Sequence, residues 1–403
     1  MRALRSLLGL ARGLGRRFLV CDEMLPNPVM GAGYPRADRM VRTLAQTGYP
    51  ITLAPVFHEP SNWASGRPNN DFPSHVETAS PCHQGWKGIE LLLRQRPRCF
   101  TDLIISRPTV MAELRPLLDQ ESKLISCMDI TYDAEAIFAN REILEEELAG
   151  RFLSYADKRL RISAELKMCR GVQRVIAVSN EEASLFRAHG YKTFVVGHAV
   201  KPFDHEEGCP SWEERSDFLF VGAIHGDGGP NFDSVMWFLE KVWPDLAHRF
   251  PVSRFVVAGL NHSKLLTEEP LPERVVVTKR LDDLSVVYNR ARVFVAPTRF
   301  AAGIPLKVIE AACYGVPVVA TSLLARQLSW RPNSEIRCAD TPAAFTDACS
   351  KIFENRTQWE RYQKLAARRV NRDYCQATFS EQLFTALNLR IGAHCGGVGT
   401  LTK

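Results

Sequence analysis

No C-x-x-C pair occurs among the eleven cysteines of this 403-residue chain. Unpatterned thiols of odd number argue against a disulfide framework or a zinc site, and for a reducing, cytoplasmic compartment. No run of about 18 apolar residues occurs either, so the sequence predicts no membrane-spanning helix. A Gly-Lys-Ser/Thr phosphate loop, H-E-x-x-H and G-x-S-x-G are all missing, which leaves Walker-type, metalloprotease and nucleophile-elbow hydrolase chemistry without support. Charge of one sign is in short supply: 51 basic residues face 45 acidic ones, a net charge of +6. That mild surplus favours nucleotide phosphates or an acidic membrane surface. No stripe of interleaved basic and aromatic residues exists, so nucleic acid is not an expected partner.

Short apolar runs alternating with helical patterns are what the chain does have. That alternation predicts an α/β protein with parallel sheets covered on both faces, and the length favours two domains. Residues 1–17 place Leu4, Leu7, Leu8, Ala11 and Leu14 at helical spacing among arginines. They read as a basic amphipathic leader suited to the inner face of an anionic membrane, or as a plain leader. Residues 18–200 form the first domain, with strands expected at Phe18 to Cys21, Ile51 to Val56, Leu103 to Ile105, Leu124 to Ser126, Val175 to Val178 and Phe194 to Val196. A long polar loop is expected over 58–88 and a long charged helix over 134–169. Ser179 and Glu182 form a capping box. Residues 201–216 read as a linker. The second domain, 217–375, has strands expected near residues 218–222, 255–258, 275–277, 293–296 and 316–320, and 376–403 read as a final helix and loose tail.

Chemistry concentrates in Val295 to Ala312, which runs strand, Gly-containing turn, helix start. A helix N-terminus opening from such a turn presents free N–H groups and partial positive charge, which suits a diphosphate. Arg299 and Lys307 would add full positive charge, and Glu310 could accept hydrogen bonds from ribose hydroxyls. The alternative is that Lys307 and Glu310 are ordinary exposed helix residues.

This segment resembles the donor-site motif of the retaining group 1 glycosyltransferases, family 4. So do Phe218 to Trp243 and Gly315 to Val319, and the stretches around Phe18 to Phe57, Leu103 to Pro108 and Val175 to Gly190 fit the same scheme. The resemblance covers roughly residues 17–389. It implies a GT-B fold, two Rossmann-like domains facing each other across a cleft. It also implies transfer of a sugar from a nucleotide-sugar, a substrate rather than a cofactor, to a glycan, lipid-linked or small-molecule acceptor with retained anomeric configuration. Glu310 would hold the donor ribose, and Lys307 with Gly303, Ile304, Pro305 and Leu306 would lie near the diphosphate. Arg280 and Leu281 would lie near the base, Gly222 on the first turn of the donor domain, and Gly31 and Gly33 on the loop approaching the donor. Asp129 would face the cleft to orient an acceptor hydroxyl, and Arg107 and Arg141 are more simply surface charges. No Asp-x-Asp pair is present, in keeping with a metal-independent mechanism.

Ala302 stands where the family's first glutamate would be. His225 to Asn231 stands where many relatives carry an Arg and a Lys. A non-catalytic scaffold that keeps a nucleotide cleft, or an epimerase on the same fold, therefore stays open beside transfer. A nicotinamide enzyme does not fit, because the strand at 255–258 runs into Ala258-Gly259-Leu260-Asn261 without the ribose-binding acid.

Overall fold

The computed structural model describes residues 15–27, 33–57, 72–79, 83–201 and 209–389. The expected leader up to residue 14, Gly31, most of the 58–88 loop, residues 202–208 and the tail from 390 lie outside them.

The first half alternates strand and helix. Its elements are β1 (Phe18–Asp22), α1 (Tyr34–Ala45), β2 (Ile51–Pro55), β3 (Val76–Thr78), α2 (Gly85–Gln95), β4 (Asp102–Ser106) and α3 (Pro108–Gln120). A single turn α4 (Ser122–Ile125) precedes β5 (Asp129–Asp133), α5 (Phe138–Leu148), α6 (Tyr155–Lys167), β6 (Arg174–Ala177), α7 (Asn180–Ala188) and β7 (Thr193–Val195). The seven strands lie in the order β3-β2-β1-β4-β5-β6-β7, every pair parallel.

The second half repeats the plan with β8 (Asp217–Val221), α8 (Gly229–Lys241), α9 (Trp243–Arg249), β9 (Phe255–Ala258), β10 (Val275–Val277) and α10 (Ser285–Tyr288). It continues through β11 (Ala291–Ala296), α11 (Leu306–Cys313), β12 (Val318–Ala320), α12 (Ser322–Leu328), β13 (Arg337–Cys338) and α13 (Pro342–Glu354). The helices α14 (Arg356–Asp373) and α15 (Gln376–Ala386) are the last elements among the described residues. The order β10-β9-β8-β11-β12-β13 is again all parallel. Both sheets reverse direction beside their first strand, between β1 and β4 and between β8 and β11. Such a switch point opens a crevice at the carboxyl ends of the strands.

Strands β1 and β8 are buried at all five positions, the near-continuous apolar run that a sheet covered on both faces requires. Two elements differ from expectation. The apolar Leu124 and Ile125 belong to a helical turn, and the strand is the more polar Asp129–Asp133, recruited by pairing with β4 and β6. The long charged helix is two, because Gly150 takes φ 80° and ends α5. The short edge strands β3 and β13 were not foreseen. Among the described residues no helix is long and apolar enough to cross a membrane.

The last helix returns to the first half. Phe379, Leu383, Ala386 and Leu387 pack with Phe18, Val20, Met40, Val41 and Leu44 in one core. Gln376 Nε2 donates to Thr43 Oγ1 at 2.9 Å, and the Val200 N–H donates to the Tyr374 carbonyl at 2.9 Å, so the two chain crossings between the halves run side by side. Phe379→Ala is expected to cost about 3–5 kcal/mol in denaturant unfolding. Hydrogen exchange should rise in α1 and β1 while β8, β9 and β11 keep their protection; equal loss in both halves would refute this placement.

Candidate active site

The carboxyl ends of the first sheet carry charges that water barely reaches. Arg36, on α1, is 2% exposed. Its guanidinium holds Asp133 at 2.7 and 2.9 Å, Glu135 at 3.2 Å and the carbonyls of Val196 and Gly197 at 3.0 and 3.1 Å. Arg107, directly after β4, reaches Asp22 at the end of β1 (2.7 Å) and Glu135 (3.3 Å), and lies over the Tyr34 ring at 4.1 Å. Tyr34 donates to Glu23 at 2.8 Å. Burial pushes Asp22 up to about 6 even against Arg107, and pushes Glu135 up against both arginines. His198 is held neutral, its pKa driven down to about 3 by burial and then by Arg36.

Glu135 sits where three segments meet. A Cβ on Gly33 would overlap its carboxylate, and one on Gly303 would lie 3.0 Å from its carbonyl oxygen. Both glycines also have positive φ, 85° and 75°, a conformation that would strain any other residue, and a side chain at either would press on Glu135.

On the second sheet, Lys307 and Glu310 stand one turn apart on α11. The Lys307 ammonium donates to Asn231 Oδ1 and lies 4.6 Å from the Phe220 ring centroid. Asn231 is itself fixed by donating to the Ala223 carbonyl at 2.8 Å and fills the space beside Gly222. Among the described residues Lys307 has no carboxylate partner, and the Glu310 carboxylate has neither a hydrogen bond nor an ion pair. Burial alone drives Lys307 down to about 7 and Glu310 up to about 7.

Glu182 joins the halves. Ser179 Oγ accepts from the Glu182 N–H at 3.2 Å, half of the expected capping box. The Glu182 carboxylate does not return to Ser179. Its Oε1 accepts from the Ile137 N–H at 3.0 Å and from the Gly303 N–H at 3.1 Å, across the two halves. The carboxylate is pushed up to about 7, burial outweighing its two backbone donors.

Two of the expected site residues move. Asp129 begins β5 at the end opposite the cleft and lies 3.5 Å from Arg174; the carboxylate at the cleft end of that strand is Asp133. Arg299 is not a free cation, since Asp233 of α8 takes it in a two-toothed pair (Nε to Oδ2 3.0 Å). Gly222 directly follows β8. The turn of Gly303, Ile304, Pro305 and Leu306 leads into α11, with the Gly303 N–H committed to Glu182 and the Leu306 N–H to the Ile304 carbonyl. Arg280 is exposed and Leu281 half-buried on the loop after edge strand β10. Arg107, read as a surface charge, is buried; Arg141 lies over the Phe138 ring. Sequence reading missed Asp22, Arg36, Asp133, Glu135, His198 and Asn231, and the role of Glu182. Asp22 and Arg107 end strands of a parallel sheet, a position that was signal enough.

Two facing Rossmann-like domains with this switch-point cleft make up the GT-B fold. Residues 215–355 match the family model described as glycosyl transferases group 1, so the second half is a group 1 glycosyltransferase domain. An uncharacterized glycosyltransferase of Haemophilus influenzae is 30% identical over 112 residues, 27% of this chain and 30% of that protein's length. Among solved structures, sucrose-phosphate synthase from Thermosynechococcus elongatus superposes with a TM-score of 0.68 at 14% identity, covering 93% of this chain and 98% of that one. HepE from Anabaena, solved in complex with UDP and glucose, gives 0.64 at 12% identity over 93% and 100%.

The lone carboxylate of Glu310 carries a pH dependence. Its pKa is raised on folding from 4.5 to about 7, so the stability it contributes is complete below 4.5 and is lost as pH rises through 7. Glu310→Gln should therefore flatten the fall in urea midpoint between those values. Equal slopes in mutant and wild type would contradict the burial assigned to it.

Proposed function

We propose that the protein is a glycosyltransferase that moves a sugar from a nucleotide-sugar to a glycan or lipid-linked acceptor, with retention of anomeric configuration and without a metal ion. The observation that carries this reading is the deprived pair on α11. Among the described residues Lys307 is a half-buried cation with no anion, and Glu310 is a half-buried carboxylate with no donor. A nucleoside diphosphate supplies both, phosphate oxygens for the first and ribose hydroxyls for the second. The group 1 family match over this domain and the UDP and glucose held by HepE support the same reading.

In this reading the departing diphosphate gains negative charge as the glycosidic bond breaks. Lys307 and the start of α11 meet that charge, stabilising the transition state more than the bound donor. The donor's phosphate also restores the proton that burial takes from Lys307 near pH 7. Asp233 neutralises Arg299, so Lys307 carries this role rather than sharing it. The Arg36 and Arg107 network keeps the acceptor side rigid, and we assign no general base.

A second reading has its own observation: Ala302 replaces the family's first glutamate while Arg299 is tied to Asp233. Both favour a scaffold that binds nucleotide without turning donor over. Calorimetric titration with UDP, GDP, ADP and CMP tests the site first. One nucleotide should bind, and Glu310→Ala should weaken it at least tenfold, about 1.5–3 kcal/mol. No binding by any of the four would remove the donor-site reading. Lys307→Met should then lower donor turnover by roughly 10²–10³; a wild type that binds but releases no sugar would favour the scaffold.

A further inference from the structure

The Lys307 amine is kept by neutral neighbours. Its ammonium donates to Asn231 Oδ1 and lies over the Phe220 ring of β8, 4.6 Å from the centroid. An aromatic face attracts a cation without neutralising it. No charged group on the surrounding elements compensates it either. Asp233, on α8, is taken by Arg299 of the donor turn. Asp227, on the loop before α8, accepts from Ser263 Oγ at 2.5 Å, and His225 on the same loop is exposed. Glu310 stands one turn along α11. None of these shifts Lys307, whose fall to about 7 has burial as its sole cause.

Asn231 is fitted to hold this arrangement. It lies in the first turn of α8, and its Nδ2 donates to the Ala223 carbonyl at 2.8 Å. That bond commits the amide nitrogen, so the amide oxygen is the end turned to Lys307. A Cβ on Gly222 would lie 3.0 Å from Nδ2, so the amide occupies space that a side chain on residue 222 would crowd. A carboxylate here would set an oxygen against the Ala223 carbonyl and repel it. An aliphatic side chain would leave the amine without an acceptor. An amide serves both neighbours, the carbonyl through its nitrogen and the ammonium through its oxygen.

We propose that Asn231 is a positioning residue for the donor: it holds the Lys307 amine in place without neutralising it, so that the site takes up a diphosphate together with a proton. Given the donor-site reading of α11, on which this role rests, phosphate oxygens against the amine favour its charged form. In the free protein Lys307 loses its proton as pH rises through about 7, while the complex keeps it. Affinity is therefore greatest below 7 and falls towards tenfold per pH unit above it. An arginine, charged at every such pH, would show no such fall.

Calorimetric titration of the full chain with UDP, GDP and ADP at about pH 8, repeated in buffers of different ionisation heat, tests both parts. The terminal phosphate is then already ionised, so any proton taken up goes to the protein. The wild type should take up about one proton per nucleotide bound, and Lys307→Arg essentially none. Asn231→Ala should weaken the nucleotide at least tenfold, yet cost nothing further when added to Lys307→Met, because Asn231 acts through that amine. Lys307→Arg carries the test if Asn231→Ala does not fold. Losses that add in the double variant would make Asn231 a structural residue of α8 and overturn the proposal. Binding by the wild type without proton uptake would overturn it too. Absence of any binding by the wild type would remove the donor site itself, and this role with it.

Discussion

A guanidinium closed off from water organises the amino-terminal side of the cleft. Arg36 is drawn into the interior by Asp133 and saturated by two further carbonyls and Glu135. Removing both charges from water costs several kcal/mol per ion, and only complete hydrogen bonding offsets it. The arrangement therefore admits very little displacement of its parts, which are the first turn of α1, the end of β5 and the end of β7. Glu135 inherits its position from that grip. Through Glu135 so do Gly33 on one side and Gly303 on the other.

The carboxyl-terminal side is built on the opposite principle. Where Arg36 is oversupplied with partners, Lys307 has a neutral amide and an aromatic face, and the Glu310 carboxylate has no partner among the described residues. Saturated groups hold a shape; unsaturated groups hold a place for something else. Glu182 stands between these regimes. One of its oxygens ties the Ile137 and Gly303 backbones across the halves, while the other is buried without a partner among the described residues. A single carboxylate thus transmits the rigidity of the first half to the turn that introduces α11.

Much of the fold was legible because parallel strands covered on both faces are written as unbroken apolar runs, as in Phe218 to Val221 or Val293 to Ala296. Asp129 to Asp133 escaped because three of its five residues are polar, and its neighbours in the sheet, not its composition, make it a strand. The donor turn was legible as strand, glycine, helix start. The charged centre was not, because a sequence does not distinguish an arginine facing solvent from one enclosed by carboxylates. Arg107 was misread in that way, and Arg36 was not noticed at all. Ser179 and Glu182 carried the capping spacing, but spacing does not reveal that a longer-range backbone donor outcompetes the local one.

The final helix has a consequence for how the protein comes into being. Phe379, Leu383 and Leu387 complete a core whose other members outside this segment, from Phe18 to Val196, are made before the whole second half. During synthesis the amino-terminal half therefore waits, one apolar face bare, until Leu387 has left the ribosome. Domains ordinarily fold in the order of their emergence. Here the first to emerge is the last to be finished, so any break in translation before the codon for Phe379 leaves a sticky nascent surface for chaperones to guard.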